Sequence, residues 1–316
     1  MRRVRTGCSA RPEEDVTVSP AHTRWRRALA AAVTVCAVAP GCVQNADETD
    51  GLPTVTVTAT RVDAIAATVP APIATAGRLV IGVNLPQPPN QFHDARGRIV
   101  GFDIDLMDAV ATVLGLTTSY QQADFEKIIP AVRGGSYDLG IASFTDTAER
   151  ERVVDFVTYF ATGTLWTQRP GPPIDPDDAC GLRVAVQTAT MADTHEIPAK
   201  SAACVLDDRP PIEKVKFERQ DVATNALLLG RVDAMSADHP VARWAIDQTD
   251  GRLVAAGESA GLTPYGWPVA KGSALAESLR LALTHLIATG DYRTIAEAWN
   301  LESGMIRVPV INGALT

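Results

Sequence analysis

Two hydrophobic rhythms alternate along most of this chain. Short stretches such as Leu79–Val80–Ile81–Gly82–Val83 and Leu139–Ser143 are apolar almost throughout, the pattern of strands covered on both faces. Between them, Ile104, Met107, Val110, Ala111 and Leu114 recur at helical spacing, with Asp103 or Asp105 predicted as the cap and Gly115 as the stop. Arg98–Phe102 and Thr117–Gln121 read as strands and Phe125–Arg133 as a helix with Ile128, Ile129 and Val132 inward. The same logic restarts near Gly181: strands at Arg183–Gln187 and Val215–Glu218, a helix at Asp221–Leu229, then a turn and strand through Gly230–Ser236. Helices follow at Leu275–Ala288 and Tyr292–Trp299. Strand–helix–strand alternation at this spacing predicts an α/β fold with mostly parallel sheets and helices on their faces.

The rhythm is missing from the first part of the chain. Arg24, Arg26 and Arg27 precede an apolar run from Ala28 to Pro40 that ends at Gly41–Cys42, the layout of an export signal. Thirteen residues are too few to span a bilayer. Residues 1–41 are therefore expected to be an export or lipoprotein signal, with Cys42 as the lipidated first residue, although Ala39–Pro40 departs from the usual lipobox. Residues 42–77 are rich in Thr, Ala, Pro and acids and read as a flexible tether.

Charge and cysteine usage narrow the class. The formal net charge is −8, and losing the seven arginines and three acids of residues 1–41 takes it to about −12. An acidic chain lacks the basic footprint that phosphate backbones require. Of the five cysteines, Cys180 and Cys204 remain as an even pair in an oxidising compartment. Bridged, they close a loop worth roughly 3.5 kcal/mol in the chain-entropy model; the alternative is two buried thiols.

Candidate chemistry concentrates in Gly140–Arg150. An apolar strand is followed by the hydroxyls of Ser143 and Thr145 and then by Arg150, a set able to converge on one planar anion. An arginine fork matches a carboxylate with two parallel charge-assisted bonds. This is binding chemistry. No G-x-S-x-G or H-E-x-x-H motif is present, and the histidines beyond the signal are scattered. Asp103 and Asp105 read as helix-start acids rather than as a catalytic pair, and neither a cofactor nor a metal is expected.

The same segment resembles the T-x-T-x-x-R…D-F signature of the family 3 solute-binding proteins of ABC importers. Gly101–Leu106, Asp124–Phe125, Ile129–Ala131, Gly134–Asp138, Gly230–Ala234, Tyr265–Gly266 and Gly290–Tyr292 match in order, over roughly Arg78 to Leu301. The resemblance implies a periplasmic-binding-protein-like two-lobed clamshell of type II with two hinge crossings. Residues 78–161 and 267–316 would form lobe 1, and 162–266 the hinge strands and lobe 2. It implies a monomer outside the cytoplasm, lipid-anchored to the outer face of the membrane, with a free amino acid and permease subunits as partners and no nucleic acid. Arg150, helped by Ser143 and Thr145, would take the ligand carboxylate, with Thr147 capping the helix that carries the arginine. Asp238 would accept from the ammonium, and Gln187 and Thr190 belong to a Q-x-G-T-like turn in which Ala189 replaces glycine. Phe125 matches an aromatic wall position. Asn84 and Gln87 stand where relatives taking cationic side chains carry an aspartate and an aromatic, and Asn90 replaces a phenylalanine. A neutral polar or acidic ligand such as glutamine or glutamate is therefore expected. Rival readings are a cyclohexadienyl dehydratase-like enzyme of the same fold and a lipid-anchored sensory binding protein.

Overall fold

The computed structural model describes residues 51–315. The expected signal and Cys42 lie outside them. Strands are β1 (Arg78–Val83), β2 (Phe92–His93), β3 (Ile99–Val100), β4 (Thr117–Gln122), β5 (Leu139–Ile141), β6 (Val154–Gln168), β7 (Arg183–Gln187), β8 (Glu213–Phe217), β9 (Ala234–Asp238) and β10 (Val254–Ala270). Helices are α1 (Asp63–Ala66), α2 (Ala71–Ala76), α3 (Phe102–Leu114), α4 (Phe125–Arg133), α5 (Ala148–Glu151), α6 (Ile197–Leu206), α7 (Gln220–Leu228), α8 (His239–Asp247), α9 (Leu275–Thr289) and α10 (Asp291–Ala298).

Eight strands make one sheet in the order β4-β1-β5-β10-β6-β9-β7-β8, while β2 and β3 pair separately. The outer trios are parallel, β4-β1-β5 at one end and β9-β7-β8 at the other. They belong to two lobes, joined by the antiparallel pair β6 and β10 that runs through both. Each lobe buries both faces of its own part of the sheet. In lobe 1, α3, α9 and α10 cover one face through Leu106, Leu279 and Ile295, and α4 covers the other with Phe125, Ile128 and Val132. In lobe 2, Leu227 and Met235 lie in one cluster, while Val184, Ile197 and Cys204 lie in another. The Cys180–Cys204 disulfide is formed across 24 residues and ties α6 to the start of the lobe-2 sheet.

The connecting ladder is regular near its ends and breaks register between Ala256 and Ala260, Ala260 and Thr263, and Tyr265 and Gly266. Gly163 faces this stretch, where a β-carbon would lie 2.4 Å from the Ala260 carbonyl oxygen. Only glycine lets the two crossing strands come this close.

Three expectations need correction. Residues 52–77 do not hang loose: Leu52, Val55, Val57, Ala59, Val62 and Ile65 pack on the lobe-1 core. Thr58 donates its N–H and hydroxyl to Asp291 Oδ1 at 3.0 and 3.2 Å, and the Val62 N–H reaches the Val113 carbonyl at 3.0 Å. The segment is thus an arm bound to lobe 1 rather than a tether. Neither Asp103 nor Asp105 caps α3, since Gly101 stands at the cap, with φ 134°. Arg98–Phe102 gives only the short strand β3, because Phe102 already begins the helix.

Candidate functional site

Strand direction decides where the lobes can meet. Strand β5 is antiparallel to β10, β10 to β6, and β6 to β9, so the C-terminal ends of β1 and β5 point toward lobe 2 and those of β7 and β9 toward lobe 1. Asn84, Ser143, Gln187 and Asp238 sit at those ends, the usual ligand position in open parallel sheets.

Arg150 is carried by α5, a single turn capped by Thr147, whose Oγ1 accepts the Arg150 N–H at 3.2 Å as the sequence indicates. Its Nη1 donates to the Thr145 carbonyl at 2.8 Å, and its Nη2 crosses to the Ala189 carbonyl of lobe 2 at 2.9 Å. The guanidinium carbon lies 5.6 Å from the ring centres of both Phe125 and Phe144, which are themselves 4.5 Å apart. Both rings lie within cation–π range of the guanidinium. Burial lowers the guanidinium pKa, opposed by the charge of Asp238.

Asp238 ends β9, and its Oδ2 accepts the Tyr265 hydroxyl at 2.6 Å. Desolvation pushes its carboxyl up to about 6, against the lowering pull of Tyr265 and Arg150. Asn84 and Gln187 meet directly, with Gln187 Nε2 donating to Asn84 Oδ1 at 3.0 Å. The other predicted residues are turned elsewhere. Thr190 Oγ1 donates to the Gln187 carbonyl at 2.7 Å, so it braces its own turn. Gln87 is buried and accepts from Gln91 Nε2 at 2.8 Å. Thr145 contributes its carbonyl to Arg150.

Ser143 and Ala189 both take left-handed backbone, φ 52° and 64°. Such conformations are strained for residues with a β-carbon and concentrate at ligand sites. At Ala189 the turn keeps the glycine-like conformation that the Q-x-G-T resemblance implies.

One residue missed as functional is Asp103. It is fully buried, and its Oδ2 accepts from Ser143 Oγ at 3.2 Å and from the Tyr159 hydroxyl at 3.0 Å. Asn90 Nδ2 in turn donates to Ser143 Oγ at 2.8 Å. The second oxygen, Oδ1, is buried without a hydrogen-bond partner among the described residues. Desolvation raises this carboxyl to about 7. Helical spacing carried the signal, because Asp103 shares its face with Met107 and Val110. Glu196 is a second omission: its carboxylate accepts from Trp166 Nε1 and Ser236 Oγ, both at 2.6 Å, and its charge adds to the rise at Asp238. A cavity of about 370 Å³ opens beside Arg150, lined by Thr147, Glu149, Ala189, Met191 and His195 among others.

Residues 79–302 match bacterial extracellular solute-binding proteins, family 3. The arginine-binding protein ArgT of Corynebacterium glutamicum is 38% identical over 292 residues, covering 91% of this chain and 96% of that protein. An ancestral arginine-binding protein solved with arginine has a TM-score of 0.66 at 33% identity, over 71% of this chain and 98% of its own. The form bound to glutamine gives 0.65 at 34% identity, over 72% and 99%. With its opposed strand ends, its half-buried arginine at the cleft and a match across most of its length, the chain belongs to the bacterial extracellular solute-binding proteins, family 3.

Proposed function

We propose that this solute-binding protein captures L-arginine between its lobes and delivers it to the permease of an ABC importer, without chemistry of its own. Arg150 takes the α-carboxylate and Asp238 the α-ammonium. Ser143 and Thr145 line the lobe-1 lip, Gln187 and Thr190 shape the lobe-2 turn, and Phe125 with Phe144 supports the guanidinium of Arg150. A ligand bridging both lobes stabilises the closed arrangement, which is the form a permease can distinguish. Anchoring through Cys42 at the outer membrane face is supported by sequence alone.

The choice of arginine departs from the expectation drawn from Asn84 and Gln87. Its support is the surplus acid. A zwitterion needs one cation and one carboxylate, whereas arginine needs one carboxylate more. We assign that role to Asp103, which is fully buried one hydrogen bond behind Ser143 and has an unpartnered oxygen. The name of the 38% identical relative points the same way. A second reading, glutamine, is favoured by the amides of Asn84 and Gln187, which already bond each other.

Calorimetry separates the two. L-Arginine should bind at least tenfold tighter than L-glutamine, and Arg150→Ala should cost arginine at least another tenfold, the loss of a charged hydrogen bond of about 1.5–3 kcal/mol. A cation held by Asp103 favours its ionised form, so arginine affinity should rise from pH 6 to pH 8, through its raised value of about 7. Tighter glutamine binding with no pH dependence would replace the first reading by the second. Unaltered affinity in Arg150→Ala would remove both.

A further inference from the structure

We propose that the C-terminal segment from Val310 to Ala314 is a positioning strap for the anion-binding turn, holding the carboxylates on either side of Arg150. The inference rests on the reading of Arg150 as the group that binds the ligand carboxylate, and it says what keeps that group aimed.

A single helical turn such as α5 has no stability of its own, because its nucleus costs more than its bonds return. Arg150 therefore points where the ends of the turn are held. Thr147 caps the front. The C-terminal segment secures both flanks, since the Gly313 N–H donates to Asp146 Oδ2 at 2.7 Å and the Ala314 N–H to Glu151 Oε1 at 2.9 Å. Neighbouring amides of one segment thus grip two acids that bracket the arginine.

The strap itself is well anchored. Thr158 and Val310 exchange bonds of 2.9 Å from each N–H, to the Val310 carbonyl and the Thr158 hydroxyl. Asn312 accepts from the Phe156 N–H at 3.0 Å, donates its own N–H to the Phe156 carbonyl at 2.9 Å, and donates Nδ2 to Asp155 at 2.9 Å. Lys271, from the far end of β10, closes the ring on Asp155 Oδ1 and the Glu151 carbonyl, both at 2.7 Å. Gly313 must be small, because a β-carbon there would meet the Val310 and Thr158 methyls at 2.7 and 2.9 Å. Asp146 is buried at 2% exposure with Oδ1 unpartnered, so the Gly313 amide is a hydrogen bond it can ill lose.

The test uses the full chain lacking residues 311–316, together with Asn312→Ala, Glu151→Ala and Glu151→Gln. Dissociation constants are measured for L-arginine and for agmatine, which lacks the carboxylate. The strap predicts about a tenfold loss for L-arginine in the deletion and in Glu151→Ala, and a smaller loss in Asn312→Ala, with agmatine unchanged in all three. Glu151→Gln, which keeps an acceptor for the Ala314 amide, should recover most of it. Parallel losses for both ligands, or no loss at all, would overturn the strap. Arg150→Ala is the reference: if it too leaves L-arginine binding intact, the ligand reading fails instead. Hydrogen exchange tests the strap without ligand, since amides of residues 145–151 should exchange at least tenfold faster in the deletion while those of α3 do not. Unchanged exchange in 145–151 rejects it.

Discussion

Asn84 and Gln187, 103 residues apart in sequence, close the cleft between the lobes through one amide–amide hydrogen bond of 3.0 Å. Asn84 also donates to the Ala123 carbonyl, and Gln187 to the Glu218 carbonyl, so both amides are oriented by their own lobes before they meet. Asn84→Asp keeps an acceptor for Gln187 and adds a negative charge at the wall. The expected outcome is about 1 kcal/mol more discrimination for L-arginine over L-glutamine, read as the ratio of their dissociation constants. A ratio that stays level or falls would place position 84 outside the side-chain pocket.

Stability should depend on Asp103 in a direction opposite to that of ordinary acids. Its folded pKa of about 7 lies above the unfolded value near 3.8. Between those pH values the folded chain keeps a proton that the unfolded chain has released, so this contribution is complete below pH 4 and fades toward pH 7. The slope is at most about 1.4 kcal/mol per pH unit for one such group. Asp146, raised to about 7 by burial, adds to the same trend. Urea unfolding of Asp103→Asn at pH 5 and pH 7.5 should show a flatter fall than the parent chain. An identical fall would mean that Asp103 is ionised throughout.

The bridge between Cys180 and Cys204 spans 24 residues. Replacing both with serine should cost roughly 3.5 kcal/mol of unfolding free energy in the chain-entropy model. It should leave arginine affinity unaltered, because the bridge belongs to an apolar cluster of the lobe-2 core. Guanidinium titration checks the first expectation and calorimetry the second.

Trp244 on α8 belongs to lobe 2, yet it packs on the lobe-1 core, its ring 5.7 Å from Phe92. Phe92 is met from its own lobe by Trp299 at 6.0 Å, edge to face. Trp244→Ala should weaken closure by about 1 kcal/mol and so lower affinity roughly fivefold for every ligand alike. A change in selectivity rather than in overall affinity would show that Trp244 reaches the pocket.

The frame of the molecule is legible where local pattern suffices. Arg183–Gln187 and Phe125–Arg133 agree with their sequence expectations at both ends, because apolar runs and helical spacing are bounded there by turn residues. Helix α6 was not expected: only Ile197 and Cys204 of its residues are buried, too sparse a stripe to register. The arm at residues 52–77 has its partners far away, as at Asp291, 233 residues from Thr58, so nothing nearby in sequence announces it. At the site, Arg150 and its Thr147 cap lie within one short motif and could be read. The burial of Asp103 could be read from its helical face, but its role could not, because Ser143 and Tyr159, 40 and 56 residues on, give it that role.

The paired strands β6 and β10 make the passage between lobes a hydrogen-bonded ribbon with three register breaks and a glycine at its narrowest approach. Such a joint behaves as a leaf spring, not as a slack cord. Opening and shutting then twists bonds already made instead of ordering a loose linker, which keeps the entropic toll of each cycle small. The jaws should accordingly return to one preferred gape after every release.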